Sequence, residues 1–172
     1  MNEIENILKR VRDTKALEFG VGAMKKIPAM FDSLFPGKTA VVVADKITYE
    51  IAGKTVHGYL EDAGIKTVAP FVFTDPGLYA EWSYLEQLES YLKERDVIAV
   101  AVGLGVINDL TKLASHHLGR RYIIVGTAAS MDGYTSYGAS VTYHGNKQTF
   151  DCPAPLGMVM DPAVAAKAPA GI

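Results

Sequence analysis

Hydrophobic positions along this chain fall into two alternating textures. Short runs of β-branched and small residues, at 39–44, 97–102 and 122–125, are apolar at almost every position. A strand without polar alternation is buried on both faces, as central strands of parallel sheets are. Between these runs, apolar residues recur every three or four positions. One series is Met24, Ile27, Phe31 and Leu34; a second is Ala52, Val56, Tyr59 and Ala63; a third is Leu78, Trp82, Leu85, Leu88 and Leu92. That is the period of helices laying one face on a core. The alternation predicts βαβ units. Residues 67–73 form a weaker strand that belongs at a sheet edge, because Pro70 has no N–H for a ladder.

Beyond Val125 the texture changes. Residues 126–138 are rich in Gly, Ser, Thr and Ala and read as a functional loop. Residues 140–143 and 147–150 flank His144-Gly145-Asn146, which predicts a hairpin. Residues 156–160 suit one more strand, with Pro162 in the first turn of a short helix. The 172 residues are enough for one domain with a substantial core. The expected fold is α/β, a mostly parallel sheet flanked by helices, plus a β-hairpin near the C-terminus.

Charge narrows the partners. A formal net charge of −2 gives no basic footprint for nucleic acid or an anionic membrane, so neither is expected. The opening Met1-Asn-Glu-Ile-Glu5 lacks the layout of a secretory signal, and the near-apolar stretch 97–107 is too short to span a bilayer. Cys152 is the single cysteine, so no internal disulfide forms and a cytoplasmic setting is expected. It lies between Asp151 and Pro153 with no histidine nearby, which favours a small filler over a nucleophile. Trp82 reads as part of a core stripe rather than a ligand-stacking group.

Three places carry candidate chemistry. Gly103-Leu-Gly-Val-Ile-Asn-Asp109 follows a buried strand and opens a helix. Such a turn aims backbone N–H groups and the positive end of a helix dipole at a pyrophosphate; alternatively it is a packing turn. Gly103 and Gly105 supply the tight turn and close approach. Asn108 and Asp109 lie in the first helical turn, where Asp can accept amide hydrogens and hold a loop from behind. Gly126-Thr-Ala-Ala-Ser-Met-Asp-Gly-Tyr-Thr-Ser136 leaves another strand on the same sheet edge. Thr127 and Ser130 offer hydroxyls to a nucleotide and Asp132 a carboxylate to a polyol, unless these groups only satisfy their own backbone. Asp45, at the tip of a strand, can accept ribose hydroxyls, cap the helix that starts at Lys46, or both.

The stretches Gly103-Leu-Gly-Val-Ile-Asn-Asp-Leu-Thr-Lys112 and Thr127-Ala-Ala-Ser-Met-Asp-Gly-Tyr-Thr-Ser136 resemble the iron-dependent alcohol dehydrogenase and dehydroquinate synthase superfamily, and within it the glycerol-1-phosphate dehydrogenases. Ala44-Asp45, Ile51-Ala-Gly53, Met160-Asp-Pro162 and Lys167-Ala-Pro169 add to the match. The resemblance implies a Rossmann-like domain binding NAD or NADP across the carboxyl edge of its sheet. It assigns Asp45 to the adenosine ribose. It assigns Gly103, Leu104, Gly105, Val106 and Ile107 to the pyrophosphate, and Thr127, Ala128, Ala129, Ser130 and Ser136 to the nicotinamide half. Asp132 falls on the substrate-binding aspartate. The implied reaction interconverts dihydroxyacetone phosphate and sn-glycerol 1-phosphate, a phosphorylated polyol, with a divalent metal, zinc or nickel.

Leu104 departs from the small residue usual between the two glycines. The family's metal ligands, one Asp and two His, belong to a helical second domain beyond Ile172. The expectation is therefore that residues 1–172 are the NAD(P)-binding N-terminal domain, with no catalytic or metal-ligating residue of their own. His57, His116, His117 and His144 do not replace those ligands: the adjacent pair on a helix faces two directions, and the others are isolated. A homo-oligomer is compatible with the sequence. Alternatives are a glycerol dehydrogenase, a dehydroquinate synthase-like lyase and a non-catalytic nucleotide-binding module.

Overall fold

The computed structural model describes residues 14–103, 105–127 and 137–165. Its strands are β1 (Ala16–Phe19), β2 (Thr39–Asp45), β3 (Phe71–Phe73), β4 (Val97–Gly103), β5 (Ile123–Gly126), β6 (Ala139–Tyr143), β7 (Asn146–Phe150) and β8 (Gly157–Met160). Six of them form one parallel sheet in the order β1-β8-β5-β4-β2-β3. The other two, β6 and β7, pair as a separate antiparallel hairpin. The helices are α1 (Ile27–Leu34), α2 (Lys54–Asp62), α3 (Trp82–Lys93), α4 (Gly105–His117) and α5 (Pro162–Ala165). No helix among the described residues is long and apolar enough to cross a membrane.

Strand periodicity divides the core into two layers. Val41 and Val43 of β2, with Val97, Ala99 and Ala101 of β4, face a layer filled by Leu85, Leu88 and Leu92 of α3 and Ile107, Leu110 and Leu113 of α4. Ala40, Val42 and Ala44, with Ile98, Val100 and Val102, face the opposite layer, filled by Ile27, Met30 and Phe31 of α1 and Val56 and Leu60 of α2. This is why β4 is apolar at every position: each residue is buried against one helical layer or the other. α1 sits directly on β8, where a side chain at Gly157 would meet Leu34 Cδ1 and Met30 Sδ at 2.8 Å.

Several details differ from the sequence pattern. β1 has no counterpart in it. The strand is four residues long, has only one buried position and pairs with β8, about 140 residues away, so local periodicity carries little trace of it. The helical segment after β2 is composite. A turn at Lys46–Thr48 runs into a π-helical stretch, Tyr49–Gly53, before α2 begins. Gly53 permits this, since a Cβ there would lie 2.7 Å from the Tyr49 ring. Leu78 precedes α3 instead of joining it, held in a turn by its N–H to the Asp75 carbonyl. The hairpin turn is the two-residue His144-Gly145, with φ of 51° and 79°, and Asn146 already pairs with Tyr143. Positive φ at both positions matches strand twist in a tight hairpin. β3 lies at the sheet edge as expected, but it is shortened from 67–73 to Phe71–Phe73, with Pro70 just ahead of it.

Candidate functional site

The parallel register brings the carboxyl ends of the strands into one row. Asp45 pairs with Phe73, Gly103 with Gly126, Gly126 with Met160, and Met160 with Phe19. The β2–β4 register, running from Thr39–Val97 to Val43–Ala101, puts Asp45 level with Gly103 two residues on. Between β2 and β4 the connections part. The chain leaves β2 into α2 on one face, and leaves β4 into α4 on the other. Open α/β sheets bind ligands outside the carboxyl ends of the strands at such a switch point. Asp45 and Gly103 flank it.

α4 begins at Gly105, two residues past β4. Its first-turn N–H groups have no partner within the helix, and no acidic side chain stands in that turn to offset the dipole. The two glycines there do different jobs. A Cβ on Gly103 would lie 2.9 Å from Cβ and Cγ1 of Ile107, so the strand-to-helix turn closes only without a side chain. A Cβ on Gly105 would meet no described atom within 4 Å. Gly105 therefore faces open space in which a ligand can approach the backbone.

Asp45 forms a capping box with Thr48. Its Oδ1 accepts the Thr48 N–H at 2.8 Å, and its own N–H donates to Thr48 Oγ1 at 3.1 Å. The capping role open in the sequence is thus present. Asp45 Oδ2 accepts no hydrogen bond among the described residues and remains available to another donor. Asp45 and Thr48 line a cavity of about 520 Å³ with Phe73, Asp75, Leu78 and Val106. Asp75 takes hydrogen bonds from the Tyr84 hydroxyl and the Gly77 N–H, and these hold its carboxyl below the ordinary range. A larger groove of about 830 Å³ lies at the amino edge of the sheet, between α1 and α2, but it contains neither glycine turn nor strand tip.

Thr127 stands just past β5, fully buried, and its hydroxyl has no partner among the described residues. A buried unpaired hydroxyl costs about 1–3 kcal/mol, and Thr127 shares this state with Thr111 Oγ1 and His57 Nδ1, but it alone of the three stands at a strand's carboxyl end. Thr127, Gly103, Gly105 and Asp45 thus converge on one edge, with Val106 and Ile107 leading into α4. Leu104, Ala128, Ala129, Ser130, Asp132 and Ser136 lie outside the described residues.

The rest of α4 carries a polar face inside the protein. Asn108, Thr111, Lys112 and Ser115 are all at most 2% exposed. Asn108 accepts the hydroxyl of Tyr122, whose ionisation burial pushes well above the ordinary range. Lys112 Nζ donates to the Gly138 carbonyl at 2.9 Å. Burial lowers the Lys112 pKa against the opposing pull of Asp109, and burial raises that of Asp109. Asp109 accepts the backbone N–H of Ser140, so it holds the hairpin strand from behind rather than the glycine turn beside it. Cys152 is buried, and desolvation pushes its thiol up to about 11. That fits the filler role.

Trp82 packs against Tyr143 and Phe150 of the hairpin, with ring centroids 4.6 and 5.4 Å away. The histidines are dispersed. His57 Nε2 lies 2.9 Å from Glu61, His117 meets Glu89, His116 is exposed and His144 is in the turn. No three His, Cys, Asp or Glu side chains come together as a metal site among the described residues.

Sequence reasoning does not single out Thr48, Phe73, Asp75 and Leu78 as cavity-lining residues. Asp75-Pro-Gly77 carries a turn signal between a strand and a helix that could have marked the cavity rim. Asp161 stands in the sequence only as part of a matching stretch. It is 4% exposed, and its carboxylate accepts N–H groups from Gly22, Met24 and Ala163.

The chain is 41% identical over 124 residues to a glycerol-1-phosphate dehydrogenase (NAD(P)+) of Halalkalibacterium halodurans, covering 70% of this chain and 31% of that protein. It is 34% identical over 150 residues to a glycerol-1-phosphate dehydrogenase (NAD(P)+) of Methanosarcina mazei, covering 87% of this chain and 41% of that one. The crystal structure of a probable glycerol dehydrogenase from Sinorhizobium meliloti superposes with a TM-score of 0.72 at 26% identity, over 91% of this chain and 41% of that chain. The chain thus spans about a third of the length of the curated relatives it matches. The family model for iron-containing alcohol dehydrogenases matches residues 18–169, and the chain belongs to that family.

Proposed function

We propose that this chain is the NAD(P)-binding domain of a dehydrogenase that interconverts dihydroxyacetone phosphate and sn-glycerol 1-phosphate. The observation that carries the reading is the convergence at the switch point: Asp45, the open face of Gly105 and the unpartnered Thr127 hydroxyl on one sheet edge. Gly105 and the first-turn N–H groups of α4 hold the pyrophosphate, whose charge the helix dipole favours. Asp45 is committed to Thr48 through one oxygen and offers the other to the ribose. Thr127, with Ala128, Ala129, Ser130 and Ser136, meets the nicotinamide half, and Asp132 meets a substrate hydroxyl. Bound there, the nicotinamide supplies the hydride acceptor or donor.

The substrate assignment follows from the relatives' names and from Met131-Asp132-Gly133-Tyr134. The divalent metal, zinc or nickel, belongs to residues outside this chain, in a helical second domain. A cleft facing that domain has support in the surface. Among the described residues, the exposed large hydrophobics Phe19, Val21, Ile47 and Tyr79 lie on segments that end or follow a strand at the carboxyl edge.

Titration of the chain with NAD and with NADP tests the cofactor reading, using Asp45→Ser as the variant. Ser still caps a helix, so stability should change by under about 1 kcal/mol. The lost carboxylate no longer holds the ribose or repels a 2′-phosphate, so NAD should weaken about tenfold while NADP holds or improves. Equal loss of both cofactors would leave Asp45 a cap and nothing more.

A further inference from the structure

The buried polar face of α4 has a role beyond packing. Residues 128–136, which carry Asp132, connect Thr127 to Tyr137-Gly138 in the sequence. Gly138 is gripped from two sides. Its N–H donates to the Cys152 carbonyl at 2.7 Å, and its carbonyl accepts Lys112 Nζ at 2.9 Å. Its φ of 90° is open to glycine and strained for other residues, and a Cβ there would touch the Phe150 carbonyl oxygen at 3.4 Å. Two residues on, the Ser140 N–H donates to Asp109, one helical turn before Lys112. The same helix, at its other end, presents Gly105 to the open switch point.

A lysine that is 1% exposed is costly to bury, and an apolar residue of the same length would pack without that cost. Its ammonium reaches the Gly138 carbonyl on another segment. The geometry points to Lys112 and Asp109 as positioning residues, a two-point clamp by which the cofactor-facing helix fixes where the substrate-facing segment re-enters the fold. The inference rests on the proposed function only in naming that segment substrate-facing. The clamp itself is carried by the contacts to Gly138 and Ser140. Neither side chain touches reacting atoms. Their effect is to tie residues 138–140 to α4, so that substrate binding depends on α4 even where substrate does not reach it.

The test compares Lys112→Met with the unmodified chain by amide hydrogen exchange, which resolves local from global opening. Met keeps the unbranched length and apolar stem and removes the donor. Protection at residues 138–141 should fall at least tenfold, while residues 97–102 of β4 stay within about threefold. NAD affinity should also stay within about threefold, because the α4 N-terminus is untouched. In the protein that carries this chain, KM for sn-glycerol 1-phosphate should rise about tenfold or more with little change in KM for NAD. Uniform loss of protection across β4 and the hairpin, or no loss at 138–141, would overturn the clamp. So would parallel loss of cofactor and substrate affinity. If Lys112→Met does not fold, Asp109→Ala serves in its place. It should loosen Ser140 and Val141 while β4 keeps its protection, and unchanged exchange there would equally overturn the proposal. An unmodified chain that binds no NAD would instead refute the cofactor reading, and the exchange comparison would still decide the clamp.

Discussion

Asp161 Oδ2, at the end of β8, accepts the N–H of Gly22 at 2.9 Å across 139 residues of sequence. The same carboxylate accepts Met24 N–H at 3.5 Å and caps α5 through Ala163 N–H at 3.0 Å. One buried side chain thereby closes the turn after β1 onto the last strand of the sheet. β1 is an edge strand with one buried side chain, so this carboxylate is a large part of what holds it.

Asp161→Ala should therefore cost about 1–3 kcal/mol, since it removes the acceptor of three backbone N–H groups, one of them buried, and loses charge-assisted bonds. Urea denaturation measures the loss. Exchange should quicken first in β1 and the Gly20–Gly22 turn. A cost under about 0.5 kcal/mol would show that β1 is held by its ladder alone.

Gly103 and Gly105 should separate stability from binding. Ala at Gly103 would crowd Ile107 at 2.9 Å, so Gly103→Ala should destabilise by about 1–3 kcal/mol, the ordinary range for overpacking. Ala at Gly105 meets no described atom within 4 Å, and Ala is the better helix former, so stability should hold or rise. Its methyl would nonetheless stand in the open space assigned to the pyrophosphate, and NAD should weaken about tenfold. Calorimetry on both variants, alongside thermal unfolding, reads the two effects. Unchanged NAD affinity in Gly105→Ala would move the phosphate elsewhere.

The central strands β2, β4 and β5 are legible in the sequence because burial on both faces removes polar residues from them. The glycine turn is visible because backbone approach at Gly103 and Gly105 excludes side chains. What the chain conceals is non-local. β1 depends on a partner far along the sequence, and Asp161 acts on a turn that its own surroundings do not reveal. Lys112 reads locally as an ordinary helix residue, since nothing near it in sequence tells that Gly138 returns to meet it. The cavity beside Asp45 is half legible: the strand tip is, but the wall made by Phe73 and Leu78 needs the β2–β3 register.

Cys152 supplies a prediction in pH. Burial raises its thiol from an ordinary 9.0 to about 11, so the unfolded chain loses this proton first as pH rises. The stability linked to the thiol is complete below about pH 9 and is lost as pH climbs toward 11, by about 2–3 kcal/mol at most. At pH 8 the native thiolate fraction is about one in a thousand, against about one in ten when unfolded. A thiol reagent should accordingly label the native chain at least about a hundredfold more slowly than the denatured chain. Comparable rates would mean that the 150–154 segment opens readily, against its burial in the core.

The 172-residue chain, purified alone, should bind NAD yet turn over no polyol, with zinc or nickel added or without. Oxidising a secondary alcohol requires its hydroxyl proton to leave as hydride transfers, and an unassisted alcohol is too weak an acid for this near neutral pH. Lewis-acid assistance in such reactions is worth several kcal/mol, and each 1.36 kcal/mol is about tenfold in rate. Its loss should cost at least about three orders of magnitude. A catalytic metal site takes about three protein ligands, and the described residues bring no such set together. The four histidines are spread over α2, the end of α4 and the hairpin turn, and Asp132 alone cannot stand in for them. The assay follows NADH formed from sn-glycerol 1-phosphate and from glycerol, with circular dichroism confirming the fold and calorimetry confirming bound NAD. Turnover near one per second, within the ordinary enzyme range, would mean that these residues build a complete active site and that the two-domain reading is wrong.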